Sequence, residues 1–88
     1  MEVKITKIEH HTENHSLHNG YWVQGFLIND IEVGKQIILD RRCRNGIEVR
    51  GVFNTSLVKN ITKQGLSLLI DTENSQYQVE FLWNTTND

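Results

Sequence analysis

Eighty-eight residues suffice for one domain, residues 1–88, with a single modest core. Nine Ile, seven Val and eight Leu with no Ala and no Pro make an all-β composition and exclude a helical bundle. A net charge of −2 excludes a bulk electrostatic footprint for nucleic acid, and a single Cys with no long apolar run and no secretory signal points to a reduced, soluble, cytoplasmic setting without a membrane span.

The first strand is expected at 3–8, where Val3 and Ile5 alternate and Ile8 breaks the phase, the mark of a bulge. Residues 10–20, HHTENHSLHNG, read as a long polar loop ending in an Asn-Gly turn, with room for one helical turn. A second strand follows at 21–28, then a corner at Val33-Gly34-Lys35 whose Gly is expected at positive φ, then a third strand at 35–40. Arg44-Asn45-Gly46 turns the chain into a fourth strand at 47–53, with Ile47, Val49 and Phe53 on one face. Leu57, Val58 and Ile61 fit one helical turn as well as a bent strand, and a short strand over 55–61 is the better fit to the composition. Leu66, Leu68 and Ile70 mark a further strand, and Tyr77, Val79, Phe81 and Trp83 alternate with Gln78, Glu80 and Leu82 in a last strand at 75–83. Residues 84–88 read as a polar tail. Six or seven short antiparallel strands in a chain this small favour one closed barrel, which also removes exposed strand edges.

The segment from Gly25 through Val33-Gly34-Lys35 to Leu39 resembles the strand-corner-strand of the second domain of translation elongation GTPases and is similar to SH3-like barrels. Arg44-Asn45-Gly46, the run from Val52 to Val58, and Thr72-Glu73-Asn74-Ser75-Gln76-Tyr77 resemble an uncharacterised family of short bacterial and phage proteins. That family carries an RNG turn, an F-x-T-S-x-V segment and a T-x-N-S-x-Y segment in this order. The chain departs from it at Leu57, where many members have Pro. The resemblance implies a compact SH3-like or translation-barrel-like fold and a phage-borne or mobile-element context, and it assigns no activity.

Four groups of residues bear on function. Arg41, Arg42, Arg44 and Arg50 are all the arginines of the chain and flank one hairpin turn, with Asp40 and Glu48 to neutralise part of their charge. Clustered guanidiniums bind phosphates or carboxylates in pairs of parallel hydrogen bonds, and Tyr21, Trp22 and Phe26 on the neighbouring strand can add stacking surface. His11, His15 and His18 fall at i, i+4 and i+7, a spacing that would hold a metal only on a helix, which Thr12, Asn14, Ser16 and Gly20 disfavour; a solvated loop is the plainer reading of His10 to His18. Cys43 lies between two cations but has no base or oxyanion site in its sequence neighbourhood. Thr55-Ser56 and Thr72, Asn74 and Ser75 can line a pocket, but such residues more often bond to nearby backbone and fix turns. Four glycosylation sequons, at Asn14, Asn54, Asn60 and Asn84, read as by-products of an Asn-rich chain. The chain carries no paired acids and no Gly-rich phosphate loop. The expectation is therefore a non-enzymatic binding module without a cofactor. Its partner would be a protein or a second copy of itself; nucleic acid bound by the arginine hairpin, or a small ligand or metal in the histidine loop, are the alternatives.

Overall fold

The computed structural model describes residues 1–10 and 20–82. His11, His15 and His18, and with them the metal reading, lie outside the described residues, as do Trp83 and residues 84–88. Six strands form: β1 (Glu2–His10), β2 (Trp22–Leu27), β3 (Gln36–Arg44), β4 (Ile47–Gln64), β5 (Ser67–Thr72) and β6 (Ser75–Phe81). Each pairs antiparallel with its neighbours in sequence, and β1 pairs with β6 to close the barrel. The all-β antiparallel barrel expected from composition is the fold. Among the described residues no helix is long and apolar enough to cross a membrane.

The core follows the period-2 pattern. Val3 and Ile5 of β1, Val23 of β2, Ile37 and Leu39 of β3, and Val79 of β6 are buried completely or nearly so. Phe53 of β4 meets Tyr77 of β6 edge to face, with centroids 6.3 Å apart and rings at 84°. Burying each of these aliphatic and aromatic side chains contributes about 1.5–3 kcal/mol. Ile8 breaks phase as expected: the β1–β6 register shifts between Lys7 and Glu9.

Three expectations are corrected. The strands expected at 47–53 and 55–61 are one strand of 18 residues, and no helical turn forms there. Its first part pairs with β3 and its second, from Val58, with β5. Extra residues on β4 make this possible: Val49 and Arg50 stand opposite Arg42, Thr55 and Ser56 opposite Ile37, and Lys59 is an extra residue between the pairs Val58–Thr72 and Asn60–Asp71. Each bulge bends the strand, so one strand serves two sides of the barrel. Ile47, beside the hairpin turn, is exposed and does not join Phe53 in the core. Leu66 is likewise not in a strand but at the β4–β5 turn, exposed.

The corner after β2 forms as its residues imply. Gly34 has φ +90°, its N–H donates to Val58 O at 2.8 Å, and Val58 N–H donates to Lys35 O at 2.9 Å. β3 then runs four residues past the expected end at Asp40, so Arg41, Arg42 and Arg44 are all strand residues. At Gly25 β3 lies close against β2: a Cβ there would run into the Asp40 carbonyl and come within 2.9 Å of Arg41 Cα. The barrel bends at this point, and Arg42 is the extra residue in the β2–β3 register.

Candidate functional site

The β3–β4 hairpin turns on Asn45 and Gly46, at φ 50° and 87°, the positive pair that a type I′ turn requires. Asn45 ties this turn to β2: its N–H donates to Trp22 O and its Oδ1 accepts from Trp22 N–H, each at 2.9 Å. The arginines therefore sit on a pinned element.

The four guanidiniums do different things. Arg41 is turned to backbone, with Nε donating to Val49 O at 3.0 Å and Nη2 to Arg50 O at 3.4 Å. These are the carbonyls at the β4 bulge, so Arg41 supplies the donors that the shifted ladder does not. Arg42 donates from Nη2 to Asp40 Oδ2 at 3.3 Å and lies with its Cζ 5.0 Å from the centre of the Phe26 ring. Its Nε is buried with no hydrogen-bond partner. Arg50 donates from Nε to Glu48 Oε2 at 3.3 Å, with both side chains largely in water. The Arg44 guanidinium makes no hydrogen bond or ion pair among the described residues.

The two aromatic candidates separate. Trp22 points outward, with Lys4 Nζ 4.5 Å from its ring centre. Tyr21 is half-buried and packs against the core, its carbonyl accepting from Lys7 N–H at 2.8 Å. Of the two, Trp22 lies on the outer side of β2 with Phe26, the ring that Arg42 covers. Cys43 is half-buried, opposite Gln24 of β2 and Glu48 of β4. Among the described residues no three His, Cys, Asp or Glu side chains gather into a metal cluster.

The sequence reading missed an apolar row on the outer face of β2–β4. Phe26, Asp40 and Val52 are direct cross-strand neighbours, Ile38 stands opposite Asn54, and Ile28 N–H donates to Ile38 O at 2.9 Å. Phe26 is 40%, Ile28 58% and Val52 64% exposed. A signal was present: Ile37-Ile38 and Val52-Phe53 are adjacent apolar pairs, and in a strand one member of each must face outward.

Thr55, Thr72 and Ser75 are buried and serve the backbone. Thr55 Oγ1 accepts from Ile37 N–H at 3.1 Å and donates to Ser56 O at 2.7 Å. Thr72 Oγ1 donates to Ser75 O at 3.0 Å and accepts from Ser75 N–H at 3.1 Å. Asn74 N–H donates to Ser56 Oγ at 3.2 Å. Among the described residues Asn45 is the one non-glycine residue at positive φ.

No family model matches the chain, and no solved structure matches it. A partial similarity exists to the NADH:fumarate oxidoreductase of Klebsiella pneumoniae (strain 342), 41% identical over 51 residues, which is 56% of this chain and 6% of that protein. The chain thus aligns with a small fraction of the length of the curated protein that it matches.

Proposed function

We propose that the protein is a non-enzymatic binding module that recognises another protein through the outer face of β2–β4. The observation that carries this reading is the exposed row of Phe26, Ile28 and Val52 beside the Arg42–Asp40 pair. An aromatic anchor, aliphatic neighbours and an arginine on a rigid sheet are the composition of a protein-binding hot spot. Nucleic acid is the weaker reading because three of the four guanidiniums are already engaged, Arg41 with carbonyls and Arg42 and Arg50 with carboxylates. Aliphatic side chains also give bases nothing to stack on.

A photo-crosslinking residue in place of Val52, in cells that make the protein, tests the reading. The expected result is a discrete protein adduct that is lost on Ile28→Asp and does not form when the crosslinker replaces Lys59. Absence of a protein adduct from position 52 overturns it. So does binding of single-stranded oligonucleotides that weakens steeply with salt, which would make the face a nucleic-acid surface.

A further inference from the structure

The end of the barrel opposite the arginine hairpin carries an apolar groove. Here β1 begins, β2 and β6 end, and the β4–β5 hairpin overhangs. Two adjoining hollows of about 330 and 300 Å³ share Met1, Leu68 and Phe81 as their floor. The first continues to Lys63 and Leu66 on the hairpin, the second to Leu27 at the end of β2 and Asp30 beyond it. The groove therefore has a cation at one end, a carboxylate at the other and hydrocarbon between. Neither Lys63 nor Asp30 has an ion-pair partner among the described residues. Leu66, at the tip of the overhang, is 85% exposed.

That polarity is self-complementary. A two-fold rotation about the middle of the groove exchanges its ends, so Lys63 of each copy meets Asp30 of the other. We propose that the groove is the interface of a symmetric homodimer, closed by a second copy of this chain with Leu66 of each copy packed on the apolar floor of the other. A small apolar molecule would cover the floor but leave both charges and Leu66 in water, whereas a second copy answers all three. The proposal does not rest on the recognition face around Phe26 and Val52, and its failure leaves that reading untouched.

Sedimentation equilibrium of the full chain, from low to high micromolar concentration, tests it. The wild type is expected to dimerise. Lys63→Glu and Asp30→Lys, which set like charges against each other twice per interface, are each expected to weaken the dimer about tenfold or more. The double variant restores opposite charges and is expected to recover wild-type association. Leu66→Asp, at an exposed turn position where the fold is indifferent, is expected to weaken association about a hundredfold. A wild-type monomer across the range overturns the proposal, whether the groove then proves to hold a small apolar molecule in native mass spectra or residues 83–88 of its own chain. A dimer indifferent to the single reversals, or not rescued by the double one, overturns it equally.

Discussion

The guanidinium of Arg41 lies against Gly51, where a Cβ would come within 2.9 Å of Nη2. Gly51 is Arg41's cross-strand partner and has φ +147°, a conformation that L side chains rarely adopt. The two residues make one device: the glycine lets β4 turn, and the arginine covers it to reach the Val49 and Arg50 carbonyls. Gly51→Ala is expected to cost about 1–2 kcal/mol, from backbone strain and displacement of the guanidinium. Arg41→Lys keeps the charge but cannot span two carbonyls and is expected to cost about 1 kcal/mol. Because both changes break the same contact, urea unfolding of the double variant should show less than the sum of the single losses. Full additivity would mean that the two residues act independently.

Gly25 is a sharper case. The atoms that its Cβ would meet are the Asp40 carbonyl and Arg41 Cα, which are backbone and cannot swing aside. Gly25→Ala therefore has to separate β2 from β3 at the barrel's bend. The expected loss is about 3 kcal/mol or more, at the upper end of overpacking effects. Thermal unfolding and the amide exchange of Arg41 report it, and a variant with an unchanged melting temperature would contradict the close crossing.

Much of this fold is written locally. The alternation of Tyr77, Val79 and Phe81, the phase break at Ile8 and the Asn45-Gly46 turn each depend on a few consecutive residues, and each forms as read. What depends on a partner strand is not legible in the same way. The bulge at Val49 and Arg50 exists only in register with β3, so no local pattern joins 47–53 to 55–61. The site divides along the same line. Clustering of the arginines is visible in the sequence, but the turn of Arg41 to backbone is a property of that bulge. Trp22 and Tyr21 are adjacent aromatics that alternation sends to opposite sides, and only pairing with β1 and β3 decides which one faces outward.

At the other end of β5, Thr72 closes the turn into β6 by both donating to and accepting from Ser75. Thr72 is 3% exposed, so water does not replace these bonds. Thr72→Val keeps the shape and removes both of these hydrogen bonds, with an expected loss of about 2 kcal/mol. Thr72→Ser keeps the hydroxyl and is expected to lose about 1 kcal/mol or less, for one methyl group. Chemical denaturation of the two variants separates the roles. A Thr72→Val loss no larger than that of Thr72→Ser would show that the hydroxyl bonds contribute no more than one methyl group.

Lys7 and Tyr77 are cross-strand partners, both directed inward and almost fully buried. Burial lowers the Lys7 pKa below its ordinary 10.5, because the charged form loses water. Burial likewise raises the Tyr77 pKa above its ordinary 10.0, opposed in part by a hydrogen bond with the Ser75 side chain. The two shifts act on stability with opposite signs. Between the folded pKa of Lys7 and 10.5 the unfolded chain holds more protons, so this group adds stability as pH rises. Above 10.0 the unfolded chain ionises its tyrosine first while the folded protein keeps the Tyr77 proton, so this group removes stability as pH rises further. Wild-type stability relative to Lys7→Met should therefore climb as pH rises from the folded Lys7 pKa towards 10.5, and Tyr77→Phe should lessen the fall above 10.0. Urea unfolding at stepped pH tests both. Curves for wild type and Lys7→Met that stay parallel through this range would mean that the Lys7 amine is hydrated in the folded protein.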